Sequence, residues 1–184
     1  MAGDRDRVCP VELAGGLESR VRRWVQDPRR ILAPFVREGM SVLDVGCGPG
    51  FFTVELARLV GESGTVVAAD LQEGMLALLA AKVRGTPLDA RIERVKSDRD
   101  GINATRPVDF ALAFYVVHEV PDKEGFFRQL RALLKPGGRC LLVEPKLFHV
   151  TAAAWAATTR VAESCGFNVG PGPKLLLSWS AVLA

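Results

Sequence analysis

Short β-favouring apolar runs alternate along the chain with stretches whose apolar residues recur at helical spacing, the signature of a parallel α/β sheet with crossover helices. Val42, Leu43 and Val45 predict a strand, and the run from Phe51 to Val60 the helix after it. Thr65–Ala69 reads as a short buried strand ending in Asp70, followed by a helix from Gln72 to Arg84 that stops at Gly85. Ala90–Lys96 alternates as an outer strand, and Val108–Tyr115 is apolar enough for a central strand covered on both faces. Phe126, Phe127, Leu130, Leu133 and Leu134 mark the buried face of a helix begun at Asp122. Lys135-Pro136-Gly137-Gly138 predicts a tight turn, Arg139–Val143 a strand, 151–165 a helix, Gly170-Pro171-Gly172-Pro173 a reversal and Lys174–Leu183 a last strand.

Ahead of the first strand, Asp27-Pro28 reads as an N-cap and first-turn proline of a helix that ends at Gly39, with Ile31, Leu32, Phe35 and Val36 on its buried side. Leu17, Val21, Trp24 and Val25 predict a further helix, and residues 1 to about 15 an arm. At 184 residues the chain is read as a single domain over 1–184, with arm and lid helices over 1–38 and the core over 39–184.

Composition narrows the class without naming it. Apolar residues make up 48% and charged residues 24%, which excludes general disorder. A net charge of +3, with basic and acidic residues interleaved, argues against a nucleic-acid partner. Neither a secretion signal nor a bilayer-length apolar run is visible, so the expectation is a cytoplasmic protein without membrane association. The four cysteines form no C-x-x-C pair, so no metal site and no disulfide framework are expected.

The chemistry concentrates in Asp44-Val45-Gly46-Cys47-Gly48-Pro49-Gly50. Glycines at alternate positions between strand and helix let a ligand approach the main chain. A dinucleotide fingerprint would place its third glycine one position later, and Asp44 inside the strand would repel a pyrophosphate. An acid there suits a cation.

This D-x-G-x-G-x-G stretch resembles the first motif of the class I S-adenosylmethionine-dependent methyltransferases, in their small, type 11-like form. Leu-Lys-Pro-Gly-Gly-Arg-Cys-Leu-Leu-Val-Glu, residues 134–144, matches the family's turn before the fifth strand. The resemblance implies a three-layer, doubly wound Rossmann-like α/β fold of seven mostly parallel strands, the last antiparallel, with N-terminal helices. It implies S-adenosylmethionine as cofactor and S-adenosylhomocysteine as product. Asp44, Gly46, Cys47, Gly48 and Gly50 would form its bed. Asp70, at the tip of the neighbouring strand, is placed to accept both ribose hydroxyls. Leu71 and Met75 would pack near the adenine, Asp98 would meet its exocyclic amine, and Arg99 would offer a backbone N–H. Phe114 would stand at the methionine end.

His118, just past the fourth strand, is the candidate general base, with Glu119 and Tyr115 as the other choices; the competing reading of His118 is a loop histidine that hydrogen-bonds the backbone and positions the motif. The N/D-P-P-Y/F/W element of base-methylating enzymes is absent, which points to a small-molecule acceptor and admits a homodimer. Trp24 and Phe35 read as core packing, and because the family's pre-strand helices close over the cofactor, a pocket role for Trp24 is the other reading the resemblance implies. A cofactor-binding subunit without transferase activity and a nicotinamide-binding oxidoreductase domain are the alternative readings.

Overall fold

The computed structural model describes residues 26–146 and 150–184. The expected arm, the helix through Leu17 and Val25, and the pocket role of Trp24 lie outside the described residues. Helix α1, Pro28–Leu32, begins as its sequence predicts: Asp27 Oδ1 accepts from the backbone N–H groups of Arg29 and Arg30 at 3.0 and 3.3 Å. The helix stops at Leu32, short of the expected end at Gly39, and Phe35 in the turn beyond it stacks on Phe110 with ring centroids 5.6 Å apart.

The core is one seven-stranded sheet in the order β3-β2-β1-β4-β5-β7-β6. Its strands are β1 Ser41–Val45, β2 Thr65–Asp70, β3 Ile92–Lys96, β4 Val108–Phe114, β5 Leu134–Pro145, β6 Val169–Pro171 and β7 Ser178–Leu183. Strands β1 to β5 pair in parallel, and β7 runs antiparallel to β5 and β6. Among the described residues four further α-helices follow: α2 Thr53–Leu59, α3 Glu73–Val83, α4 Lys123–Leu133 and α5 Ala152–Ser164.

Strand side chains alternate between two apolar layers, as the pleat requires. Val42, Val66, Ala68, Phe110, Leu112 and Val143 pack with α1, α2 and α3 through Leu32, Leu56 and Leu79. Leu43, Val45, Val67, Ala69, Ala111, Ala113 and Leu142 pack on the other face with Phe127 and Leu130 of α4 and Ala162 of α5. The three-layer, doubly wound architecture and the antiparallel last strand are as expected.

Three local features stand out, the second and third of them against expectation. The crossover from β3 to β4, residues 97–107, carries no helix. Side chains there bond the backbone instead: Ser97 Oγ donates to the Ile102 carbonyl at 3.0 Å and Asp98 accepts from Asp100 N–H at 3.0 Å. The Lys-Pro-Gly-Gly segment does not precede β5 but bulges within it. Val108 pairs with Leu134 and Phe110 with Arg139, so residues 135–138 stand opposite Asp109 alone. Finally, β7 begins at Ser178, and the preceding Leu176 and Leu177 are exposed.

Candidate active site

The parallel strands bring their C-terminal ends to one edge of the sheet, where β1 gives way to the glycine turn. Gly46 and Cys47 donate their N–H groups to the Ala69 carbonyl at 2.8 and 3.1 Å, which ties the turn to β2. Asp70, at the tip of β2, completes the tie. Its Oδ2 accepts from Gly48 N–H and its Oδ1 from Gln72 N–H, both at 2.8 Å.

Two glycines of the turn do different work. Gly48 has φ +53°, and a Cβ built on it would meet no atom of the described residues within 4 Å. Gly50 has φ +90°, and a Cβ there would lie 2.5 Å from Leu79 Cδ1. Gly48 therefore keeps a surface open, whereas Gly50 lets α3 pack against the turn.

Asp44 is 2% exposed, and its Oδ2 accepts from Thr53 Oγ1 at 2.6 Å. Burial pushes its pKa up to about 7, against the Thr53 hydrogen bond and with help from the charge of Asp70. Burial also raises Asp70, outweighing the N–H groups of Gln72 and Gly48 and the charge of Lys96. Two carboxylates short of solvation in one wall favour a cationic, hydrogen-bond-donating ligand. The Cys47 thiol is pushed up by burial and then by these two acids, so it is no nucleophile.

A cavity of about 560 Å³ opens over this wall, within the roughly 300–1,000 Å³ usual for small-ligand sites. Asp44, Gly46, Cys47, Gly48, Asp70, Leu71, Met75, Asp98, Arg99, Phe114 and His118 all line it, as do Tyr115 and Glu119. Gly50, expected to contact cofactor, is not among the lining residues; its side of the turn faces Leu79. Asp98 lines the rim, but its oxygens are engaged within their own loop. Its bonds from Asn103 Nδ2 at 3.1 Å and then from Asp100 N–H hold its carboxyl below the usual range.

The far end of the cavity is aromatic. Phe114 packs on Phe52 with centroids 4.3 Å apart and on Tyr115 at 4.6 Å. Tyr115, at φ +61°, accepts from Gln26 Nε2 at 2.7 Å and shares a 2.6 Å hydrogen bond with Ser178 Oγ, which makes its hydroxyl a brace. His118 lies in the 3-10 turn Val117–Glu119, with Nδ1 2.5 Å from Glu144 Oε2. Burial disfavours the imidazolium, but the hydrogen bond and charge of Glu144, with Glu119 beyond, outweigh it and raise the His118 pKa.

Thr53 and Glu144 were not legible as site residues. The only signal for Glu144 is a lone charge closing the apolar run Cys140–Val143. Thr53 stands nine residues after Asp44 at the start of α2, a spacing without a pattern of its own. Among the described residues no cluster of His, Cys, Asp or Glu could hold a metal ion, and no helix is long and apolar enough to cross a membrane.

Comparison with known proteins places this geometry. The methyltransferase-domain family matches residues 42–138, just over half of the chain. Over 110 residues the chain is 36% identical to a ubiquinone/menaquinone biosynthesis C-methyltransferase of Klebsiella pneumoniae, a match covering 59% of this chain and 44% of that protein. The chain thus spans less than half the length of the curated relatives it matches. The crystal structure of a SAM-dependent methyltransferase from Aquifex aeolicus superposes with a TM-score of 0.81 at 27% identity, covering 96% of this chain and all of that one. A TehB-like SAM-dependent methyltransferase from Corynebacterium glutamicum shares the fold at TM-score 0.72 and 15% identity, covering 95% and 99% of the two chains. From the motif turn, the strand order and these matches together, the chain belongs to the methyltransferase-domain family and is built on the class I S-adenosylmethionine-dependent fold.

Proposed function

We propose that the chain is an S-adenosylmethionine-dependent methyltransferase acting on a small-molecule acceptor. The observation that carries this reading is the convergence of Gly48, Asp70, Asp44 and His118 on one cavity. The residues present fit the cofactor's chemistry. Asp70 lines the cavity with a carboxylate that accepts the N–H groups of Gly48 and Gln72, with Leu71 N–H also favouring its ionised form, and a carboxylate's acceptor sites outnumber these donors, which leaves it able to accept from a ribose hydroxyl. The open side of Gly48 leaves room against the main chain. Asp44 supplies the negative charge that an ammonium and a sulfonium require.

When bound, S-adenosylmethionine supplies an electrophilic methyl on a positively charged sulfur, so this chain has to align an acceptor and exclude water. Phe52, Phe114 and Tyr115 offer an apolar wall for that purpose, and His118 is the group placed to hold a proton. A small-molecule acceptor is supported by the quinone-biosynthesis role in the relatives' name and by the absence of a base-methylating motif.

The test is production of S-adenosylhomocysteine from S-adenosylmethionine across a panel of phenols, amines, thiols and carboxylic acids. Acceptor-dependent production that Asp70→Ala depresses supports the proposal. Tight S-adenosylhomocysteine binding with no turnover on any class would favour a regulatory subunit, and saturable NADH binding without response to S-adenosylhomocysteine an oxidoreductase domain.

A further inference from the structure

Glu144 is a carboxylate 1% exposed at the C-terminal end of β5. Burying such a charge is costly unless it is paired and hydrogen-bonded. Sheet register explains how it is satisfied. Val143 pairs with Phe114, and the Tyr115 N–H donates to the Val143 carbonyl at 2.8 Å. With Tyr115 at φ +61°, the chain after β4 then swings back over the end of β5. The swing sets the Val117 N–H 2.8 Å from Glu144 Oε1 and His118 Nδ1 2.5 Å from Oε2. One acid therefore fixes both the backbone of the turn and the orientation of the imidazole.

Satisfying the Val117 N–H needs only a neutral carbonyl, so the ionised group has its effect on the ring. With Glu144 ionised, Nδ1 must carry hydrogen and donate, which makes Nε2 the atom that takes up and returns a proton. Among the described residues, the charged groups facing the ring are Glu144 on β5, Glu119 on the same turn, with its Oε1 3.9 Å from Nε2, and Lys123 at the start of α4. The two acids favour the imidazolium and Lys123 opposes it.

We propose that Glu144 is a positioning residue for His118, and that the pair equips the cavity to take the proton of a phenolic acceptor. The proposal rests on the methyl-transfer reading above and specifies its acceptor class. Proton transfer is efficient where donor and acceptor are reasonably matched. A phenol, with a pKa near 10, is within reach of an imidazole, whereas a carboxylate needs no base. The aromatic wall of Phe52, Phe114 and Tyr115 suits a planar ring. In balance, a neutral phenol and a sulfonium give an aryl methyl ether and a neutral thioether. The carbon–sulfur electron pair stays on sulfur, and the hydroxyl proton goes to Nε2 of His118 and then to water.

The test uses 4-nitrophenol, whose ionisation is visible by absorbance. Calorimetry first establishes S-adenosylhomocysteine binding to the full chain; 4-nitrophenol is then titrated into that complex across pH. Wild type should ionise the bound phenol at least about one pH unit below its midpoint in free solution, a tenfold bias. Glu144→Gln keeps a carbonyl for Val117 but faces Nδ1 with an amide that favours the other tautomer, so the midpoint should return to the free-solution value. His118→Gln should do the same, and it guards against misfolding of the buried variant. Failure of wild type to bind S-adenosylhomocysteine would overturn the methyltransferase reading itself. With that binding intact, failure to bind 4-nitrophenol, a solution-like midpoint in wild type, or a wild-type midpoint in either variant would overturn the positioning proposal alone.

Discussion

Asp44 carries a consequence for stability as well as for binding. Its folded pKa, about 7, lies above the ordinary carboxylate value of 3.8 because the side chain is buried. A group raised in this way contributes stability that is fully present below the unfolded value and is lost as pH rises through the folded one. Asp44→Asn removes the titration but keeps an acceptor for Thr53. In the ligand-free protein, the melting temperature of Asp44→Asn should therefore gain on wild type as pH is raised from 5 to 8. A difference that does not change with pH would contradict the assignment. The same substitution should weaken binding of the cationic S-adenosylmethionine more than that of S-adenosylhomocysteine, whose sulfur is neutral. Asp44, Asp70 and His118 could be singled out in the sequence because each sits at a strand end or just beyond it. Glu144 could not. Its partner His118 is 26 positions away, and only the β4–β5 register brings the two together.

At the scale of elements, the glycine turn joins two functions that substitution can separate. Gly48→Ala meets no atom of the described residues, so its expected folding cost is backbone strain of about 1–2 kcal/mol. It should lower S-adenosylhomocysteine affinity by roughly tenfold, because the added methyl stands on the cavity side. Gly50→Ala adds a clash with Leu79 to similar strain and should destabilise by about 2–4 kcal/mol in urea unfolding. Its folded fraction should bind ligand with little change. Matching effects of the two substitutions would show that both glycines face ligand, as their motif spacing alone suggests. The central strands were readable because burial on both faces leaves an uninterrupted apolar run, as in Val108–Phe114. The Lys-Pro-Gly-Gly bulge and the helix-free crossover at 97–107 were not, since each depends on what lies opposite. For the bulge that is Asp109, whose oxygens take the Lys135 ammonium at 2.8 and 2.9 Å.

Across the whole molecule, the two ends of the sheet are specialised. Asp109 at the N-terminal end also accepts from the Ser41 N–H at 2.8 Å, joining β1, β4 and β5. Burial opposes its ionisation, but Lys135 and the Ser41 N–H prevail and hold its carboxyl below the usual range. Its stabilising effect is present above the ordinary carboxylate value and is lost as pH falls through the depressed one. Asp109→Ala should cost about 1–2 kcal/mol in chemical unfolding at pH 7 and leave S-adenosylhomocysteine affinity unchanged, since no contact with the cavity is lost. Loss of affinity would show that the ends are coupled. At the C-terminal end, the cavity draws on β1, β2 and β4, which meet there because a parallel sheet aligns its strand ends. The central claim is that a nucleoside lies in this cavity with its sugar held by Asp70. Calorimetric titration of S-adenosylhomocysteine into wild type and Asp70→Ala, with melting of the ligand-free variant as a folding control, tests it directly. The account predicts saturable binding to wild type and a loss of about 2–3 kcal/mol, roughly 30- to 150-fold, in the variant; no binding to wild type, or equal affinity in a folded variant, would contradict it.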